Sequence, residues 1–330
     1  MDREAPATAT LDPELAALLE QGRIADLPPW HTMSVAEARR VEDEVFAAGT
    51  GPPVDSVTDR QIEGQNVDLP GRVYRPAEPA GGSDESPPAL VFFHGGGWVL
   101  GTLDSADDVC RQFATRLGAV VVSVDYRLAP ENPFPAAVED AWAALRWVRD
   151  AAPSLGVDSE RIGTAGTSAG GGLSAAIGLR ARTEDVPIAV QVLCYPMLDP
   201  APDIADGTKD TAARPSLLSR GDVDWFWNQY LGQEDDTHDP LAAPARADTL
   251  AGCPPTVITT AGHDMLRGEG AAFAEGLRDE GVPTTALHYP TLTHGFLSLT
   301  GSVDRADDAA AEVAEAVRAQ LGIDRSAPRS

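Results

Sequence analysis

Short apolar segments alternate with amphipathic segments through most of this 330-residue chain. The apolar segments have the length and the valine content of buried strands, whereas Ala137, Ala141 and Val148 recur at helical spacing between two of them. Strands that alternate with helices are typical of a mostly parallel sheet. We therefore predict an α/β fold, with a mostly parallel central sheet and helices on both faces.

The predicted elements follow one another from residue 71 to residue 321. Strands are predicted at 71–76, 89–94, 118–127, 161–166, 188–197, 255–262 and 284–290, and helices at 134–152, 168–182, 271–281 and 304–321. Two segments lie outside this alternation. One is an N-terminal pair of helical patterns, the second of which starts with Ser34 and Glu37 in a capping-box pattern. The other is a proline-rich and then aromatic stretch at 200–240.

The charge balance limits the classes of partner. The chain has 51 acidic and 25 basic residues and a formal charge of −26. A polyanion repels nucleic acid and anionic membrane surfaces, so we expect neither as a partner, and we interpret the charge as a solvated acidic surface.

The apolar runs are too short to span a bilayer, and the N-terminus has no secretory-signal pattern. Three widely spaced cysteines show no metal or disulfide pattern, so we expect a reduced, cytoplasmic protein without a metal.

Ser168 lies in a G-x-S-x-G motif, at residues 166–170, between a predicted strand and a predicted helix. A sharp strand-to-helix turn holds such a serine in a strained conformation with its hydroxyl exposed, and it needs very small residues two positions before and after. Gly166 and Gly170 meet that requirement. The N-terminus of the following helix favours negative charge. We predict that Ser168 is a nucleophile, against the alternative of an incidental serine in a glycine-rich turn.

A nucleophilic serine needs a base, and in a turn of this kind the partners follow in the order Ser, Asp or Glu, His. His294 follows the last predicted strand in a loop before the final helix. His288 lies inside that strand, where a packed or surface histidine is the better interpretation. We therefore predict His294 as the base, with His288 as the alternative.

The acid is expected after the preceding strand, at the sheet edge where ligands bind in open α/β folds. Asp264 follows that strand directly. Glu269 is a nearby competitor, and Asp199 also follows a predicted strand, but that strand is one too early in the chain. We predict Asp264 as the acid.

A second glycine cluster, His94 to Trp98, follows the buried strand ALVFF. Three successive glycines let backbone N–H groups approach a ligand closely and point at a developing oxyanion. No phosphate-binding glycine pattern is present, which makes a nucleotide site the weaker interpretation.

Together these motifs resemble the hormone-sensitive-lipase-like carboxylesterases, the bacterial family IV group of α/β-hydrolases. The matching stretches are HGGGW (94–98), DYRLAPENPFPAAVED (125–140), GTSAGG (166–171), YPMLD (195–199), HDMLRGEG (263–270) and HGF (294–296). The resemblance implies an α/β-hydrolase fold and the same Ser168, Asp264 and His294. It also implies an oxyanion hole formed by the N–H groups of three residues, with His94 as a structural residue of its loop. These three residues are Gly96, Gly97 and Ala169.

The chain departs from the family pattern at two places. Thr167 precedes the nucleophile where the more familiar motif has Asp, which resembles a GTSAG subgroup. Met265 and Gly268 stand where the family often has Pro and Asp. Neither change touches the three predicted catalytic residues, and both bear on substrate preference and dimer geometry.

The resemblance also divides the chain into a core and a helical cap. It implies that residues 1–54 form the N-terminal part of the cap and 200–240 its inserted second part, over a core of 55–199 and 241–330. Four aromatic residues are candidates for the substrate pocket, with core packing as the alternative for each. They are Trp98, Trp225, Phe226 and Tyr230.

The predicted function is a serine carboxylesterase that hydrolyses short-to-medium acyl esters through an acyl-enzyme, with a small-molecule ester as its partner and no cofactor. The alternatives are an amidase, lactonase or deacetylase with the same three residues, or a non-catalytic small-molecule receptor on this fold. A receptor is expected to lack one of the three residues, and this chain has all of them. A homodimer is compatible with the sequence.

Overall fold

An eight-stranded sheet lies at the centre of the part of the chain that the structure describes. The structure, a computed structural model, describes residues 9–20, 27–46, 51–64, 68–81, 85–200, 217–232 and 238–323. The strands are β1 Ser56–Ile62, β2 Leu69–Arg75, β3 Ala89–Phe93, β4 Val120–Val124, β5 Ile162–Thr167, β6 Gln191–Cys194, β7 Thr256–His263 and β8 Thr284–Thr293. Their order is β1-β2-β4-β3-β5-β6-β7-β8. β2 is antiparallel to both of its neighbours, and all other pairs are parallel.

Helices pack on both faces of this sheet. The α-helices of the described residues are α1 Pro13–Leu19, α2 Val35–Phe46, α3 Asp107–Leu117, α4 Ala136–Asp150, α5 Ala152–Leu155, α6 Ala169–Glu184, α7 Arg220–Leu231, α8 Arg267–Asp279 and α9 Asp304–Gln320. Successive residues of β3 point to opposite faces, as in any strand. Val91 and Phe93 pack with α4 and α6, whereas Leu90 and Phe92 pack with α3 and α9. The predicted α/β fold, with its mostly parallel sheet and helices on both faces, is therefore confirmed.

Two elements of the sheet region were not predicted from sequence. β1 is an edge strand of mostly polar, exposed residues, and only Ile62 is buried, so it has no apolar run to indicate a strand. α3 buries Val109, Phe113 and Leu117 at helical spacing, a periodicity that is present in the sequence. β6 ends earlier than predicted because Tyr195, with a φ of 40°, leaves the extended conformation.

Side-chain hydrogen bonds join the two segments that lie outside the alternation. Ser219 caps α7 in a capping box with Asp222. The Asp222 carboxylate also accepts from the backbone N–H of His31 at 3.0 Å and lies 2.8 Å from its Nδ1. The parts of the predicted insert at 201–216 and 233–237 lie outside the described residues, so the division into core and cap stays a prediction. None of the described helices is long and apolar enough to cross a membrane.

The N-terminus of α6 lies against the end of β3 with no room for a side chain. A Cβ on Gly170 would lie 2.0 Å from the carbonyl oxygen of Phe93. A real Cβ does not come that close to a backbone oxygen, so only glycine permits this contact. This close contact fixes the position of α6 relative to the sheet.

We predict that Gly170→Ala lowers the free energy of unfolding by about 3 kcal/mol, because α6 or β3 must move to admit the methyl group. Gly276→Ala in α8 is the matched control. Its new Cβ meets only the side chain of Leu250, at 3.1 Å. We expect it to leave stability unchanged or to raise it by up to about 1 kcal/mol, because alanine favours helix. Urea unfolding at pH 7 measures both, and a Gly170→Ala protein as stable as the control would contradict the prediction.

Candidate active site

Ser168 occupies the turn between β5 and α6. Its φ of 54° and ψ of −119° lie outside the regions that side chains other than glycine favour. The turn is tight enough that a Cβ on Gly166 would lie 2.1 Å from the carbonyl oxygen of Gly170. The N–H groups of the first turn of α6 have no acceptor within the helix. The sequence-predicted strained turn is therefore present, with the serine hydroxyl at the carboxyl edge of the sheet.

The two other predicted catalytic residues follow neighbouring parallel strands, Asp264 after β7 and His294 after β8. The structure brings all three side chains together. His294 Nδ1 lies 2.8 Å from Asp264 Oδ2, and His294 Nε2 lies 2.9 Å from Ser168 Oγ. All three residues are at most 9% exposed.

This geometry sets the direction of each hydrogen bond. An ionised carboxylate only accepts, so Nδ1–H of His294 donates to Asp264 and Nε2 carries a lone pair toward the Ser168 hydroxyl. The other Asp264 oxygen accepts from the backbone N–H of Leu266 at 2.9 Å. The ring of Tyr195 packs edge-on against His294 with centroids 4.9 Å apart. The imidazole is thus held in the tautomer and orientation in which it can take a proton from the serine.

The alternative base and acids lie elsewhere. His288 is in β8, and its Nδ1 lies 2.9 Å from Thr260 Oγ1. Glu269 is buried on α8 and accepts from the backbone N–H of Leu198 at 2.8 Å, and burial holds its pKa well above the usual range. Asp199 pairs with Arg246 at 2.9 Å. The hydrogen bonds described for these three residues connect none of them to Ser168.

The predicted glycine loop follows β3 and lies beside the serine. Gly96 has a φ of 103°, and a Cβ there would lie 2.4 Å from the carbonyl oxygen of Leu100. A Cβ on Gly97 would overlap the ring of Phe226. Both glycines line the same cavity as Ser168. The loop therefore places backbone groups without side chains beside Ser168, next to the N-terminus of α6.

His94 packs beneath this loop as a neutral side chain. Its ring stacks on Tyr126 with centroids 4.3 Å apart, and its Nδ1–H donates to the carbonyl oxygen of Gly95 at 2.7 Å. Burial lowers the pKa of His94 to about 4. The Tyr126 hydroxyl donates to the His94 carbonyl oxygen at 2.9 Å. These contacts fit the structural role that the resemblance implies.

A cavity of about 160 Å³ opens above Ser168 and His294. Its floor consists of Ser168, His294 and the glycine loop. Residues of the two outlying segments form much of its opposite wall. They are Leu27, Trp30, Glu42, Phe46, Leu217, Leu218 and Phe226.

Three of the four predicted pocket aromatics do not line this cavity. Phe226 does line it. Trp98 stacks on Tyr230 with centroids 4.0 Å apart, and each is only 1% exposed, so both belong to the core. Trp225 packs edge-on against Phe226, at 5.0 Å. Trp98 and Tyr230 thus have the core packing that is the alternative interpretation for each of the four, and a pocket role for Trp225 stays a prediction.

Sequence reasoning missed the cavity residues of the N-terminal segment. Glu42 is the notable one, since its position four residues after the buried Ala38 puts it on the buried face of α2. That spacing is visible in the sequence, but it does not show what the face is buried against. Across the described residues, no group of three or more His, Cys, Asp or Glu side chains is placed to hold a metal ion.

Comparison of this chain with known proteins gives matches to an alpha/beta hydrolase family and to proteins named as esterases. The sequence model of a family described as alpha/beta hydrolase fold matches residues 90–298, a range that contains Ser168, Asp264 and His294. Esterase LipI of Mycobacterium tuberculosis is 42% identical over 259 residues, which cover 77% of this chain and 78% of LipI.

Solved structures match over nearly the whole chain. The crystal structure of DphMB1 is 42% identical with a TM-score of 0.85, and the match covers 94% of this chain and 99% of that one. The ester-hydrolase EH1AB1 from the metagenome of Lake Arreo, complexed with a derivative of bipyridine phosphonate, is 35% identical with a TM-score of 0.85. That match covers 95% of this chain and 100% of the other.

We predict that His94 makes the protein less stable in mild acid. Its pKa is about 4 when folded and near 6.5 when unfolded, so the unfolded chain binds the extra proton between these values. Stability from this group is complete above pH 6.5 and is lost as the pH falls toward 4. Between pH 7 and pH 5 the loss is about 2 kcal/mol.

The measurement is urea unfolding of the wild type and of His94→Asn at both pH values. Other titrating groups contribute to both proteins, so the difference between their pH-dependent losses isolates His94. We expect the loss to be about 2 kcal/mol smaller in the variant. Equal losses in the two proteins would show that His94 is not held neutral by burial.

Proposed function

Because the chain belongs to the alpha/beta hydrolase family, we propose that it is a carboxylic ester hydrolase in which Ser168, His294 and Asp264 are the catalytic residues. One observation carries the proposal: the unbroken hydrogen-bonded series from Ser168 Oγ to His294 Nε2 and from Nδ1 to Asp264 Oδ2. The geometry is that of an activated nucleophile with an oriented base.

In the first half of the proposed reaction, Ser168 Oγ attacks the carbonyl carbon of the ester while His294 Nε2 takes its proton. The carbonyl π electrons move to the oxygen and form a tetrahedral oxyanion. The imidazolium then gives the proton to the leaving alkoxide, the C–O bond breaks, and an alcohol departs. The Asp264 carboxylate stabilises the imidazolium without taking its proton.

The backbone N–H groups of Gly96, Gly97 and Ala169 are the proposed oxyanion hole. The left-handed φ of Gly96 and Gly97 and the unpaired first turn of α6 support this assignment. Donors fixed in a buried site stabilise developing charge without reorganisation, and each contributes about 3 kcal/mol to lowering the barrier.

In the second half, a water molecule takes the place of the alcohol. His294 Nε2 removes one of its protons, and the hydroxide attacks the acyl carbon. The second tetrahedral intermediate breaks its bond to Ser168 Oγ, which receives the proton back from His294. The acid is released and the free serine is restored.

The cap proposal rests on the contacts of the two outlying segments. Trp30 and Phe226, one from each segment, line the cavity, and the hydrogen bonds between His31 and Asp222 join the segments beside it. A cover of this kind excludes bulk water and strengthens electrostatic interactions in the site. The mostly apolar cavity of about 160 Å³ supports esters with a short-to-medium acyl group as the substrate class.

We predict that Asp264→Asn lowers kcat for p-nitrophenyl butyrate by about 10⁴-fold, because an amide in place of the carboxylate favours the wrong histidine tautomer. Glu269→Gln is the matched control, since it makes the same isosteric change in the competing buried carboxyl. We expect it to retain kcat within a few-fold. The reverse pattern, with Glu269→Gln inactive and Asp264→Asn active, would assign the acid to Glu269.

A further inference from the structure

Glu42 is a buried carboxyl group that the proposed reaction does not use. It lies on α2, is 8% exposed, and lines the same cavity as Ser168 and His294. The Ser105 side chain and the Gly101 backbone lower the pKa of this carboxyl group, against the larger effect of burial. The residues that line the cavity around it are mostly apolar.

No described basic side chain neutralises this carboxyl group. The two arginines of α2 are engaged elsewhere: Arg39 pairs with Glu131 at 2.7 Å, and Arg40 pairs with Glu44 at 2.7 Å. No arginine or lysine lines the cavity within the described ranges. A buried carboxylate is costly unless a positive charge accompanies it. When Glu42 is ionised, the described residues therefore leave its charge without a positively charged partner in the cavity.

Burial raises the pKa of Glu42 to about 7. The titratable groups around it add no positive charge at that pH. Asp43 on the same helix raises the pKa further, Tyr126 stays neutral because burial raises its own pKa, and the pKa of His94 is lowered to about 4. His294 also faces the cavity, but it is the same in the wild type and in Glu42→Gln, so a comparison of these two proteins isolates Glu42.

We propose that Glu42 makes the enzyme selective for esters that carry a positively charged ammonium group. The inference rests on the proposed ester hydrolysis and names its substrate class. The ammonium group supplies the missing counter-charge for Glu42 when the ester carbonyl lies at Ser168.

Two further features favour a cationic substrate. Trp30, Phe46 and Phe226 line the cavity, and aromatic rings attract quaternary ammonium groups through their negative faces. The net charge of −26 also raises the local concentration of cations at the protein surface. The surface charge acts on all cations alike, whereas Glu42 acts only inside the cavity.

The test compares isosteric pairs of charged and neutral esters. One pair carries the charge in the alcohol: butyrylcholine and 3,3-dimethylbutyl butyrate. The other carries it in the acyl group: the p-nitrophenyl esters of 4-(trimethylammonio)butanoic acid and 5,5-dimethylhexanoic acid. For each pair the measured quantity is the ratio of kcat/KM for the charged ester to that for the neutral ester. Before the ratio is taken, kcat/KM for each ester is divided by the rate constant for hydroxide-catalysed hydrolysis of the same ester. This removes differences in the intrinsic reactivity of the esters.

We expect the wild type to prefer the charged ester at pH 8 by tenfold or more in at least one pair. Glu42→Gln should lower that ratio by tenfold or more. Glu44→Gln removes the same charge from an exposed position on the same helix and should leave the ratio unchanged. The wild-type ratio should also rise with pH through about 7, as Glu42 ionises, and should stay flat in Glu42→Gln.

Two kinds of failure are distinguishable. If Ser168→Ala still hydrolyses the neutral esters, the proposed function itself is wrong. If neutral esters are hydrolysed through Ser168 but the wild type shows no preference in either pair, the inference about Glu42 is overturned. It is also overturned if Glu42→Gln keeps the preference or if Glu44→Gln loses it equally.

Discussion

The contact between the first turn of α6 and the strands beneath it is the constraint on which the site depends. Gly170 lies against the Phe93 carbonyl oxygen, and Gly166 lies against Gly170. With any larger residue at these positions the helix would move away from the sheet. The close approach makes the turn sharp, and the sharp turn holds Ser168 at a positive φ with its hydroxyl outside the sheet edge. Strain at one residue is thus maintained by the packing of two glycines.

The parallel sheet brings the remaining groups to the same edge. β3, β5, β7 and β8 all run in one direction, so the glycine loop, Ser168, Asp264 and His294 follow their carboxyl ends. The strands place these residues near one another, and the hydrogen bonds between their side chains orient Ser168, His294 and Asp264. The outlying segments then cover this edge, and the buried carboxyl group of Glu42 reaches the cavity from the N-terminal one. In the proposed enzyme, the catalytic residues and the residue that selects the substrate therefore come from different parts of the chain.

The sequence predicts those features that depend on neighbouring residues in the chain. It does not predict features that depend on packing between distant segments. The apolar runs predicted the buried strands, and the order of Ser168, Asp264 and His294 along the chain was enough to select those that meet in the structure. β1 was missed because an exposed edge strand needs no apolar residues. Trp98 and Tyr230 are pocket candidates in the sequence, with core packing as the alternative, because an aromatic residue near a site looks the same in sequence whether it faces a cavity or stacks in the core. Phe226, in the same group, does face the cavity.

Covalent labelling with diisopropyl fluorophosphate tests the central claim most directly. The claim is that Ser168 is a nucleophile activated by His294. In the labelling reaction the serine Oγ–P bond forms, the P–F bond breaks and fluoride leaves. Intact-protein and peptide mass spectrometry should show one adduct per chain, on Ser168. The labelling rate should fall by about 10³-fold or more in His294→Gln and stay near the wild-type rate in His288→Gln. An adduct on another residue, or undiminished labelling of His294→Gln, would contradict the account.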